Sequence, residues 1–239
     1  MKTIEELKQE NKWLKELMVQ TADKKGLPSK EIIYDGVHDD FLDKYSTAEP
    51  RILWILKEAY EDKGHFGWHV GDIGKDNPAL KKKGKTLRQI CLISYAVLKR
   101  YNYKKACEAN DEELTCARQK VAQINISKIK RTAGTSSADN MTPDYEIWKD
   151  VLKKQIELYE PEIIICGNTL HHFPKNDGYL KRTEQNKTPL KSISHNSKRK
   201  YCYYRENGRL FINIYHPQYP WSGWEECINE IVDICINKK

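Results

Sequence analysis

The chain has 239 residues, enough for one α/β domain with insertions or for two small domains. Hydrophobic residues make up 39% and charged residues 31%, so a sizeable core is affordable beneath a very polar surface. No apolar run approaches the roughly 20 residues of a membrane span. The net charge of +7, from 41 Lys+Arg against 34 Asp+Glu, suits either a polyanionic partner such as nucleic acid or a Lys-rich solvated surface. Seven cysteines, at 91, 107, 116, 166, 202, 227 and 235, form no CxxC pair, and the opening MKTIEELKQENKWLKEL has no signal-peptide core. Both features point to reduced thiols and a cytoplasmic protein.

In chain order, Ile4, Leu7, Leu14, Leu17 and Met18 recur at helical spacing, which predicts an amphipathic helix lying on the domain. ILWIL (52–56) is the first strand. LRQICLISYAVLKRY (87–101) follows as a helix, with a weaker one over 111–120. VAQINI (121–126) is the second strand. DYEIWKDVLKKQIELY (144–159) is the clearest helix, with Thr142 as its cap, Pro143 in its first turn and Pro161 after its end. EIIIC (162–166) and LFINIY (210–215) complete four buried strands, each short and rich in β-branched or aromatic residues. YCYYRENGRLFINIY predicts a hairpin turning at Glu206-Asn207-Gly208, which would give the fourth strand an antiparallel neighbour. A last helix spans about 224–237.

Alternating strands and helices give a mostly parallel sheet covered by helices on both faces. Ligands of such sheets bind at the carboxyl ends of the strands. There the sequence places Lys57-Glu58-Ala59-Tyr60, then Asn125 with Ser127-Lys128, then Gly167-Asn168-Thr169, then His216-Pro217-Gln218-Tyr219-Pro220-Trp221-Ser222-Gly223. A carboxylate, an amide and a histidine at the ends of one sheet are what a pocket needs to hold a polar planar ligand and stabilise charge on it.

These four stretches, LKEAY (56–60), VAQINISKIKR (121–131), IIICGNTLHH (163–172) and INIYHPQYPWSG (212–223), resemble the motifs of the uracil-DNA glycosylase superfamily in order and spacing. The resemblance implies a three-layer α/β/α fold with a central, mostly parallel four-stranded sheet. It places Glu58 on the family's catalytic Asp, Tyr60 on the Tyr that packs against the base, Asn125 on the Asn that reads the base edge, and His216 on the His that hydrogen-bonds the base oxygen. Residues 218–223 replace the loop that wedges into the duplex. Leu56 and Lys57 stand where the family has Gly and Gln, Ala59 where it has Pro, and Gln218 where it has Ser, so the motif does not fix the base. The iron–sulfur branch needs four cysteine ligands, and Cys91, Cys107 and Cys116 lack the paired spacing, so no cluster is expected.

The chemistry is coherent with that placement. Glycosidic cleavage needs a carboxylate to stabilise an oxocarbenium-like sugar and to help a water attack. It needs a donor where anionic charge builds on the leaving base. Glu58 and His216 are the catalytic candidates. Lys57, Tyr60, Asn125 and Phe66 are the base-binding ones, with Phe66 and Trp68 of the glycine-rich loop as stackers. Ser127, Lys128, Gly167, Asn168, Gln218, Tyr219, Trp221 and Ser222 are the DNA-binding set, Tyr219 and Trp221 as wedge residues. KIKR (128–131), KKKGKT (81–86) and the basic residues of 181–200 are either phosphate contacts or solvated charge runs. KKKGKT lacks the first glycine of a phosphate loop. Each site residue also has a plainer reading: Glu58 paired with Lys57, Asn125 in a strand-end Asx turn, His216 as a turn histidine. His65 and His69 are four apart, but the intervening glycine disfavours a helix, and no metal site is expected; His171-His172 are placed near the surface.

The sequence therefore predicts one glycosylase-like domain over residues 1–239, with 1–50 as a helical extension. It would be a monomer without cofactor or metal, acting on a damaged or deaminated base in DNA through the phosphate backbone and a flipped base. The rival readings are an inactive binder of nucleic acid or nucleobases on the same fold, and a hydrolase of small nucleoside-like substrates.

Overall fold

A computed structural model describes residues 2–58, 69–70, 85–129, 141–173, 187–193 and 201–237. The chain opens with α1 (Ile4–Lys24), whose N-terminus is closed by a capping box between Thr3 and Glu6. A short α2 (Leu42–Ser46) leads into β1 (Ile52–Leu56). Then come α3 (Lys85–Lys99), α4 (Tyr103–Cys107), α5 (Asp111–Gln119) and β2 (Val121–Asn125). They are followed by α6 (Thr142–Tyr159), β3 (Ile163–Gly167), the two-residue β4 (Thr188–Pro189), β5 (Cys202–Glu206), β6 (Arg209–Ile214) and α7 (Trp224–Ile236).

The sheet has six strands in the order β2-β1-β3-β6-β5-β4, rather than four, and it is mixed. The strands expected from sequence, β1, β2, β3 and β6, pair in parallel. One of the extra two comes from the hairpin: Asn207 and Gly208 take φ of 50° and 76°, the left-handed values of a tight two-residue turn, so β5 folds back antiparallel on β6. β4 adds outside β5.

Every residue of β1, β2 and β3 is buried. Strands covered on both faces need no polar alternation, which explains the continuous apolar runs of β1 and β3. Leu53 and Ile55 share one core with Met18 of α1 and Trp148 and Ile156 of α6. Ile52, Trp54 and Leu56 enter the opposite core with Ile93 of α3, Leu114 of α5 and Ile231 of α7. Helices thus cover both faces, and each fully buried aliphatic side chain contributes about 1.5–3 kcal/mol of transfer free energy. α1 packs on α6, so its apolar stripe is continuous with the main core.

Several local expectations shift. α6 begins at Thr142, and the preceding Met141 supplies no side-chain cap; Pro143 does occupy the first turn, and the helix ends at Glu160 in a left-handed conformation, before Pro161. The five-residue α4 was not foreseen. Residues 32–36 lie along the outer edge of β2, where Gly36 pairs with Gln123 and Ile32 with Ile129 in antiparallel bridges.

Candidate functional site

Parallel strands in register end together. Leu56 is level with Asn125, and Gly167 with Ile214. The β1–β2 ladder continues past both strands, with Ile126 N–H donating to Leu56 O at 2.9 Å and Ser127 N–H to Lys57 O at 2.9 Å. One edge of the sheet therefore carries Lys57-Glu58, Asn125-Ser127, Gly167-Asn168 and the His216 turn.

Gly167 is where this edge is tightest. A Cβ there would lie 2.7 Å from Leu56 Cδ2, 3.1 Å from Pro217 Cδ and 3.7 Å from His216 Cδ2. The absent side chain lets the His216-Pro217 turn close over the end of β1. Asn168 follows with φ 57° and donates its N–H to Ile214 O at 2.8 Å. Thr169 Oγ1 donates to Ile55 O at 2.9 Å, pinning the turn after β3 back over β1.

Glu58 is buried at 8% exposure. Asn125 and Asn168 are buried too, and neither Oδ1 has a hydrogen-bond partner among the described residues. An unsatisfied buried carbonyl of this kind costs about 1–3 kcal/mol, so two on one edge call for a reason. Each of these oxygens has the chemistry to accept from an N–H donor.

His216 is set for a defined role. Its Nδ1 accepts from Gln218 N–H at 3.2 Å, so the neutral ring carries its proton on Nε2. Burial, and then the nearby Lys57 charge, push its pKa down to about 4. At neutral pH the side chain is an uncharged N–H donor.

Around the turn, Tyr219 is half exposed and stacks on Tyr215 with ring centroids 4.9 Å apart. Trp221 sits edge-on to Tyr215 and to Trp224, at 5.0 and 5.5 Å, and is half-buried. The exposed aromatic beside the site is therefore Tyr219, while Trp221 supports the platform beneath it. Gln218 and Ser222 are exposed. Ser127 is buried, its hydroxyl directed to Ile129 O at 3.4 Å.

One sequence-based assignment is corrected. Lys128 is not a phosphate contact: its side chain has no exposed surface, and Nζ donates to Asp35, to Asn125 O and to Gln155 Oε1. Asp35 and Gln155 were missed by the sequence reading, because they lie 93 and 27 residues from Lys128. His172 is buried in a single 3-10 turn after β3, while His171 beside it is exposed, so only one of the pair lies at the surface. Tyr60, Phe66, Trp68 and His65 lie outside the described residues, as do most of 81–86 and 181–200.

Among the described residues no group of three or more His, Cys, Asp and Glu is placed to hold a metal ion, and no helix is long and apolar enough to cross a membrane. None of the seven cysteines is in a disulfide.

No family model matches the chain, and no solved structure matches it. The sequence is similar to Protein DYAD of Arabidopsis thaliana, 32% identical over 172 residues that cover 66% of this chain and 25% of that protein. The chain thus spans about a quarter of the length of the curated relative it matches.

Proposed function

We propose that the carboxyl edge of the sheet is an N-glycosidase site that removes a deaminated or damaged base from DNA. The observation that carries this reading is the neutral His216, with its Nε2 proton available as a donor, on the same strand-end edge as the carboxylate of Glu58 and the amide of Asn125. The resemblance of the four strand-end motifs to the uracil-DNA glycosylase superfamily supports it, as does the net charge of +7.

In this reading water adds to the sugar C1′ and the N-glycosidic bond breaks, releasing a free base and an abasic site. Glu58 stabilises the oxocarbenium-like sugar and orients the water. His216 Nε2–H donates to the base oxygen as anionic charge builds there, and a neutral imidazole does this without first giving up a proton. Asn125 offers one donor and one acceptor, the complement of a lactam edge such as that of uracil, hypoxanthine or xanthine. Tyr60 and Phe66 are the pocket-lining and stacking candidates by sequence, and Tyr219 is the aromatic that meets the strand.

The test is a strand-nicking assay. Single- and double-stranded oligonucleotides carry uracil, hypoxanthine, xanthine or no lesion and are treated with alkali after incubation. Cleavage by the wild type that falls ~100-fold in Glu58→Gln, the scale of a positioned acid–base group, is the expected result. No cleavage of any substrate, with binding that weakens steeply as salt rises, would replace the enzyme by a nucleic-acid binder.

A further inference from the structure

Charged side chains grip Asn125 on both sides of its main chain. Asp35 Oδ2 accepts from the Asn125 N–H at 2.6 Å, and Lys128 Nζ donates to the Asn125 carbonyl at 2.7 Å. The two charges face each other, with Lys128 Nζ 2.9 and 2.8 Å from the Asp35 oxygens. Gln155 of α6 closes the group, accepting from Lys128 at 2.8 Å and donating to Asp35 Oδ1 at 2.7 Å. All three side chains are buried.

The pair completes the outer edge of β2. Up to Gln123 that edge is bonded main chain to main chain with Gly36. At Asn125 the Asp35 carboxylate takes the place of the missing ladder partner. A buried ion pair seldom stabilises a fold more than apolar residues of similar volume. An apolar pair, however, cannot bond the N–H and the C=O of one residue together. The residue so held is one of the two asparagines on this edge whose Oδ1 is buried without a partner among the described residues.

We propose that Asp35 and Lys128 are positioning residues of the base site: they fix the main chain of Asn125 so that its amide is held in place for the base edge. This inference rests on the glycosidase reading of the carboxyl edge. Holding a recognition group in place before the ligand arrives is worth most where small displacements are costly.

The test uses Asp35→Asn/Lys128→Met, which removes both charges together and leaves neither one buried alone. In protein labelled with 15N-asparagine, the Asn125 side-chain amide is assigned by its loss in Asn125→Ala. In the double variant this signal should broaden or move toward the free-amide position, while other asparagine signals and the near-UV circular dichroism stay unchanged. On the base cleaved best, kcat should fall by roughly 10- to 100-fold with KM little changed. In an Asn125→Ala background the same double substitution should cost less than about twofold, because its effect runs through Asn125. An unmoved Asn125 signal, or an equal cost in both backgrounds, would overturn the proposal. If the wild type cleaves nothing, the glycosidase reading fails and the amide signal alone decides the clamp. If the double variant unfolds, the apolar pair Asp35→Leu/Lys128→Met, which likewise leaves no charge buried alone, is read in the same ways.

Discussion

Gly167 and Leu56 meet so closely across the β1–β3 pair that a methyl group on Gly167 would lie 2.7 Å from Leu56 Cδ2. The rigid Pro217 ring stands 3.1 Å from the same point, and His216 behind it. Gly167→Ala must therefore push the turn outward or strain the core. It should lower stability by about 1–3 kcal/mol, the usual range for overpacking. Urea denaturation measures the loss, and a shifted His216 ring resonance would show that the turn has moved.

The depressed pKa of His216 gives a pH signature. Its value falls from 6.5 to about 4, first through burial and then through Lys57. The native state resists protonation at this ring, so between those values the unfolded chain binds more protons. Stability from this group is intact above 6.5 and is lost as pH falls toward 4. A glycosylase using the neutral ring keeps its His216-dependent rate down to about pH 5 and loses it through about 4. Lys57→Met removes the nearby positive charge and should raise the pKa, read by NMR titration of the ring.

Lys128→Met alone strands the Asp35 carboxylate in a site without exposed surface. Breaking a buried pair this way typically costs 3–5 kcal/mol, so the urea midpoint should drop by roughly that equivalent. Lys149→Met, which removes an exposed pair with Glu146 on α6, should leave the midpoint unchanged.

The thiols sort by burial. Cys107 and Cys116 are exposed, whereas Cys91, Cys166, Cys202 and Cys227 are buried. Burial also raises the Cys91 and Cys227 pKa values to about 12. An alkylating reagent at pH 8 should label Cys107 and Cys116 in the native protein and the four buried thiols only after denaturation, counted by peptide mass spectrometry.

Tyr219 is 51% exposed and meets the domain by stacking on Tyr215, so removing its ring opens no buried cavity. On the nucleic-acid reading, Tyr219→Ala should weaken binding of a single-stranded oligonucleotide by about 1–3 kcal/mol, the contribution of one stacked base, with Tm unchanged. Equal affinity for both proteins would remove Tyr219 from the binding surface.

Much of the architecture could be read from the chain because its signals are local. ILWIL is β1 residue for residue, since a strand buried on both faces is written as an unbroken apolar run. Asn207-Gly208 announces the hairpin because few other residues accept positive φ at both positions. The candidate edge follows from the strand list alone, since parallel strands deliver their next residues to one side. What had no local signal came from contacts between distant residues. β4 is a two-residue pairing with β5 and has no periodicity to read. Lys128 looks in sequence like one more solvated or phosphate-seeking base. It is buried because Asp35, 93 residues earlier, and Gln155 of α6 surround its ammonium. A charge can leave water only where compensating groups converge in space, and that convergence arises only when the segment along β2 and α6 pack against the same strand end.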